Sequence, residues 1–138
     1  MSSLPSPAPR VLIADDDDGI RQALRDLLGE EGMEVVGEAS DGMGAVAAAK
    51  QLEPDVVLMD LRMPDLGGAE ATTMIRQALP TTQVIILSAY DDPALNRSAE
   101  EAGAYAYLVK GCSAGLVRDV LLEAFKLKQG LERRATQP

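Results

Sequence analysis

Val11-Leu12-Ile13-Ala14 runs directly into Asp15-Asp16-Asp17-Asp18. Four apolar residues make a short strand, and the abrupt change to carboxylates marks where it ends. The same grammar recurs along the chain. Apolar runs at Val11–Ala14, Glu34–Ala39, Val56–Asp60, Gln83–Ser88 and Tyr105–Val109 predict five strands, each followed by a longer segment of helical period. Ile20, Ala23, Leu24, Leu27 and Leu28 fall on one helical stripe, with Gly32 as its stop. Ala71, Met74, Ile75, Ala78 and Leu79 repeat it before Pro80, and Val117, Val120, Leu121 and Ala124 repeat it again. The second and fourth helices carry mostly alanine stripes, Ala45, Ala48 and Ala49, then Ala99 and Ala102 with Gly103 behind them, and so should pack close to the sheet. Repeated βα units predict an α/β fold with a parallel sheet, and right-handed crossovers place helices on both of its faces.

Composition narrows the function classes. The chain has 138 residues and a formal net charge of -9, one acidic domain in length and charge, which argues against nucleic acid as a partner of this segment. There is no histidine, so histidine triads, histidine bases and histidine metal ligands are all excluded. The one cysteine, Cys112, cannot form an internal disulfide, which fits a reducing compartment and gives a cytoplasmic expectation. No apolar stretch approaches the ~20 residues of a membrane span. Residues 1–9, rich in serine and proline, read as a flexible N-terminal tail. The polar residues 129–138 read as a C-terminal tail or the start of a linker.

Ligands of such sheets bind beyond the carboxyl ends of the strands. The residues delivered there are the acidic run from Asp15, then Asp60, Ser88 and Lys110. Clustered carboxylates repel one another, and a divalent cation offsets that cost; with oxygen donors and no histidine the natural ion is Mg2+. A cation, an ammonium and a hydroxyl facing one point suit a transferring phosphoryl group, with a carboxylate as nucleophile. Taken singly, each residue has a plainer reading. Asp15 and Asp16 could cap the first helix, Ser88 could start a helical turn, Tyr107 could be a half-buried strand aromatic, and Lys110 could be a surface lysine. It is their co-location on one rim that overrides these readings.

In order, Ile13-Ala14-Asp15-Asp16, then Met59-Asp60-Leu61-Arg62-Met63-Pro64 with Gly68, then Ser88-Ala89, then Tyr107-Leu108-Val109-Lys110 resemble the receiver domain of two-component response regulators, most closely the NarL/FixJ type. The resemblance covers residues 10–128. It implies a flavodoxin-like (βα)5 doubly wound parallel sheet with strand order 2-1-3-4-5. It implies that Asp60 accepts a phosphoryl group from the phosphohistidine of a sensor histidine kinase. Mg2+ would be held by Asp15, Asp16, Asp60 and the backbone carbonyl of Arg62. Lys110 and Ser88 would meet the phosphoryl group, and Ser88 and Tyr107 would act as switch residues. The output face would be the fourth helix, fifth strand and fifth helix, with a homodimer as one possible output. Arg62 and Tyr90 fall where receivers of this family tune loss of phosphate. NarL/FixJ-type regulators carry a LuxR-type helix-turn-helix effector after the receiver, which this chain lacks.

The sequence departs from the family pattern at three places. Gly111 stands where many receivers have proline, Gly67 where an acid is common, and Asp17-Asp18 extend the usual acidic pair. Two competing functions remain: a haloacid-dehalogenase-like phosphatase built on Asp16-x-Asp18-Gly19, and a receiver-like interaction module that is never phosphorylated. Gly42-x-Gly44-x-x-Ala47 imitates a dinucleotide fingerprint but does not lie in the first βα unit. The run up to Gly19 imitates an EF-hand loop but places Arg25 where a glutamate is required.

Overall fold

The computed structural model describes residues 8–136. Strands and helices alternate as β1 (Arg10–Ala14), α1 (Asp18–Glu30), β2 (Glu34–Ala39), α2 (Gly42–Leu52), β3 (Val56–Met59), α3 (Gly68–Ala78), β4 (Gln83–Ser88), α4 (Pro93–Glu101), β5 (Ala106–Val109) and α5 (Ala114–Thr136). The strands form one parallel sheet in the order β2-β1-β3-β4-β5, the flavodoxin-like doubly wound topology that the sequence implies. The predicted strands agree with the observed ones to within a residue at either end.

Because successive strand side chains point to opposite faces, each central strand feeds two cores. Val11, Ile13, Val56, Leu58, Ile85 and Leu87 face α1 and α5 and pack with Leu28, Val117 and Leu121. Leu12, Ala14, Val57, Met59, Val84 and Ile86 face the other way, against Ala45 and Ala49 of α2, Ala71 and Ile75 of α3 and Ala99 of α4. Ala45, Ala49 and Ala99 of the predicted alanine stripes are buried against the sheet. Helix starts are specified locally, for Asp17, Asp41 and Asp92 each accept a backbone N–H from the first turn of α1, α2 and α4. Helix stops are equally local: Gly32 and Gly103 take φ values of 79° and 100° just past the ends of α1 and α4.

The structure describes part of each predicted terminal segment. Residues 1–7 of the expected tail lie outside the described residues, but Pro9 is buried, and its carbonyl accepts the Glu34 N–H at 2.9 Å. That bond extends the β1–β2 pairing one residue ahead of β1. At the other end, Gln129–Thr136, expected as a tail or linker, continue α5 as helix; residues 137 and 138 lie outside the described residues. Two physical causes explain this. Gln129, Leu131, Glu132, Arg133, Arg134 and Ala135 are strong helix formers despite their polarity, and Arg133 and Arg134 sit at the negative end of the helix dipole. In addition, Lys128 Nζ binds Asp55 Oδ1 at 2.7 Å and Glu132 at 2.9 Å, while Thr81 donates to Glu132. Asp55 also accepts the Arg10 N–H at 2.8 Å. The far half of α5 is therefore fastened to the foot of β1 and β3.

One glycine positions the exit of β3. A Cβ on Gly68 would lie 2.2 Å from the Asp60 carbonyl oxygen and 2.8 Å from Leu61 Cα, so the first turn of α3 rests directly on the backbone leaving β3. The Gly68 N–H donates to the Leu61 carbonyl at 2.8 Å, closing that loop.

Gly68→Ala should cost about 2 kcal/mol in urea unfolding, in the range of an overpacked contact, and should shift the Asp60 and Leu61 amide resonances more than those of β2. Asp55→Ala, which removes one acceptor of the Lys128 ammonium and the side-chain acceptor of the Arg10 N–H, should cost about 2 kcal/mol. Burial opposes the Lys128 charge, but its bonds to Asp55 and Glu132 prevail and raise its pKa. Its contribution is thus complete below the ordinary lysine range and fades as pH rises past it. Lys128→Met should remove that alkaline limb of the stability curve.

Candidate functional site

The pairing between strands continues one residue past their carboxyl ends, and this sets the site. The Asp15 N–H donates to the Ala39 carbonyl at 3.0 Å, the Asp60 N–H to Ala14 at 2.8 Å, and the Lys110 N–H to Ser88 at 2.6 Å. Three side chains are thereby fixed on one rim by backbone hydrogen bonds rather than by loop packing. Asp15 and Asp60 are buried, Lys110 is half-buried, and Asp16 is exposed. Lys110 Nζ lies 2.8 Å from Asp15 Oδ2 and 3.3 Å from Asp60 Oδ1. Asp15, Asp16 and Asp60 each present a carboxylate oxygen within 4.8 Å of the others.

Two carboxylates thus share one ammonium. Burial pushes the Asp60 carboxyl above its ordinary 3.8, and the Asp15 charge adds to the effect; the Lys110 charge and hydrogen bond and the Arg62 N–H offset only part of it. Burial works against the Lys110 charge, yet its hydrogen bond to Asp15 and the charges of Asp60 and Asp15 prevail and hold its proton more tightly than in an ordinary lysine.

The remaining predicted residues surround this cluster. Ser88 is buried at the end of β4, and its hydroxyl oxygen accepts the Tyr90 N–H at 3.1 Å. Tyr107 is half-buried in β5, and its hydroxyl donates to the Tyr90 carbonyl rather than to Ser88. Arg62 is exposed just after Asp60, with its guanidinium 4.6 Å from the centre of the Tyr90 ring, a cation–π contact between two loops that the sequence does not reveal. The acidic run divides its labour. Asp17 caps α1 by accepting the Ile20 N–H at 3.1 Å, and Asp18 pairs with Arg21, so neither joins the carboxylate cluster. Gly111 has a φ of 96°, which the proline common at this position could not adopt with its ring fixed near −65°.

Two of the imitations dissolve in the geometry. Gly42 is required by packing, since a Cβ there would fall 1.9 Å from the Leu66 carbonyl oxygen; its backbone faces a loop rather than a pyrophosphate. Asp18, which a phosphatase would direct into its site, points outward to Arg21. Among the described residues, no helix is long and apolar enough to cross a membrane.

Comparison with known proteins agrees with this geometry. The response regulator receiver domain family matches residues 11–122. The transcriptional regulatory protein LnrK of Bacillus subtilis is 42% identical over 109 residues, covering 78% of this chain and 50% of its own length. The transcriptional regulatory protein LiaR of the same organism is 39% identical over 126 residues, covering 91% and 60%. PdtaR of Mycobacterium tuberculosis is 45% identical over 101 residues, covering 73% and 49%. The chain therefore spans about half the length of the curated relatives it matches. Among solved structures, the NarL receiver domain of Mycobacterium tuberculosis superimposes with a TM-score of 0.84 at 35% identity, covering 88% of this chain and 98% of that one. CheY in a CheX-CheY-BeF3-Mg complex of Borrelia burgdorferi gives 0.79 at 27% identity, covering 84% and 88%. Given these matches over most of its length, the chain belongs to the response regulator receiver family and is a receiver domain of the two-component type, homologous to transcriptional regulators.

Proposed function

We propose that Asp60 is the phosphoacceptor and that Asp15, Asp16, Asp60 and the Arg62 backbone carbonyl hold Mg2+. The observation that carries this reading is the charge balance of the rim, where two buried carboxylates share one ammonium with a third carboxylate beside them. Burial and, after it, the neighbouring Asp15 charge raise the Asp60 pKa, and the all-oxygen donor set of the cluster suits a small hard divalent ion. The BeF3 and Mg in the Borrelia CheY complex are in keeping with it. When bound, the ion supplies charge neutralisation to the phosphoryl oxygens.

This chain's own residues carry the transfer. A carboxylate oxygen of Asp60 attacks phosphorus of the sensor kinase phosphohistidine, the P–N bond breaks, and the imidazole leaves with a proton. Asp15 and the sheet hold Lys110 so that its ammonium pairs with the arriving charge. Ser88, now accepting from Tyr90, keeps its own O–H free to donate to a phosphoryl oxygen. The bond to Tyr90 moves with that loop, so a change at Ser88 reaches Tyr107 and the α4-β5-α5 face. The domain in this reading promotes its own phosphorylation and dephosphorylation and acts in the cytoplasm. Its output is transcriptional control, as the names of the relatives suggest, exerted in this reading through a LuxR-type effector, with pairing of two copies as a further output.

Intact-mass analysis after acetyl phosphate treatment tests the reading. A single labile adduct that requires Mg2+ and is lost in Asp60→Asn is the expected result. An adduct that survives Asp60→Asn but is lost in Asp16→Asn would instead establish the phosphatase chemistry. No adduct at all would leave an interaction module. A second prediction concerns stability without metal. Because folding raises the Asp60 pKa, its ionisation costs stability as pH climbs past 3.8, and the full cost is present above the raised folded value. Asp60→Asn should therefore unfold at higher urea than wild type at neutral pH, with the difference vanishing in acid.

A further inference from the structure

Asp15 is held at every polar atom it has. Its N–H donates to Ala39, its Oδ1 accepts the Asp17 N–H at 2.9 Å, its Oδ2 meets Lys110, and its carbonyl accepts Arg21 Nη1 at 2.6 Å. The last of these comes from a side chain that no site motif includes. Arg21 is largely buried, with its side chain 16% exposed, and its fork is fully engaged. Besides the Asp15 carbonyl it binds Glu38 Oε1 of β2 at 3.0 Å and Asp18 of the first helical turn. Glu38 in turn pairs with Arg25, one turn further along α1. An arginine is needed here, because one planar fork reaches a carbonyl and two carboxylates on three different segments.

We propose that Arg21 is a positioning residue for the acidic loop, holding Asp15-Asp16 in cation-binding register by tying the Asp15 carbonyl to β2 and to the start of α1. The inference rests on the Mg2+ site proposed above. Outer groups that orient metal ligands commonly control affinity by about 10–100-fold without touching the ion. Charge alone would act in the opposite direction, since deleting a cation near a cluster of carboxylates should strengthen Mg2+ binding. The sign of the effect therefore separates positioning from electrostatics.

The test is calorimetric titration of the full chain with Mg2+, for wild type, Arg21→Ala, Arg21→Lys and Glu38→Gln. Thermal unfolding in EDTA runs in parallel, and acetyl phosphate labelling is followed across Mg2+ concentrations. Arg21→Ala should weaken Mg2+ about tenfold. Arg21→Lys should recover part of this, because one ammonium reaches the carbonyl but cannot hold Glu38 as well. Because Arg21→Lys keeps the charge, weakening in it reads positioning alone, and it serves if Arg21→Ala does not fold. Glu38→Gln, which leaves Arg21 in place but loosens its anchor, should weaken binding less, and is read only beside Arg21→Lys because it also removes a negative charge. Labelling should need more Mg2+ for half-saturation yet approach the wild-type maximum rate at high Mg2+, a split that general destabilisation would not give. Unchanged or tighter Mg2+ binding in folded Arg21→Ala, or in Arg21→Lys should Arg21→Ala not fold, overturns the proposal while leaving the site reading intact. Failure of wild type to bind Mg2+ overturns both.

Discussion

A single ammonium between two buried carboxylates is the contact on which the rest of this molecule depends. Lys110 reaches Asp15 and Asp60 from the far side of β3 and β4, so the ion triad spans three strands and closes the rim of the sheet. In a low-dielectric setting such a contact is stabilising only if the geometry is rigid. The fold supplies that rigidity by extending the sheet hydrogen bonds to Asp15, Asp60 and Lys110 themselves. The triad does not reach neutrality, however. Two carboxylates against one ammonium leave a negative charge at the rim, and with burial acting first and the Asp15 charge second the Asp60 pKa is raised, a stability cost retained where the strands end.

Two different supports carry the rim. On the α3 side a glycine lets the helix rest on the backbone leaving β3, so steric contact backs the position that the sheet hydrogen bond gives Asp60. On the α1 side the support is polar, a ladder of arginine and glutamate between α1 and β2 that ends on the Asp15 carbonyl. The first kind tolerates no added atom. The second can be tuned by substitution, because each link is a side chain whose replacement changes strength without closing space.

Most of the fold was legible because it is written in periodicity. Apolar runs of four to six residues and helical stripes mark elements whose cores are nearly all aliphatic, and glycines and aspartates at helix ends punctuate them. Asp15, Asp60 and Lys110 were legible because each directly follows an apolar run, with Asp16 next to Asp15, and topology alone gathers strand ends. What escaped were features set by side-chain reach across the fold. The end of α5 looks like a polar tail because its anchor, Asp55, is 73 residues away from Lys128. Pro9 looks like tail because nothing local shows that its carbonyl meets β2. Capping of α1 falls to Asp17 rather than to Asp15 or Asp16, since the strand uses one more residue before the turn. The Arg62–Tyr90 contact and the engagement of Arg21 join residues with no periodic relation, so no pattern announces them.

The tie at Lys128 divides α5 into two regimes of cohesion. The helix runs unbroken from Ala114, just past the rim, to Thr136. As far as Phe125 it is held by aliphatic burial, through Val117, Leu121, Ala124 and Phe125. Beyond Phe125 its attachment to the sheet is polar, the Lys128 ammonium on Asp55. Dissolved salt screens charges near the surface and leaves apolar burial intact, so ionic strength weakens the grip on the last turns of the helix while its root stays packed.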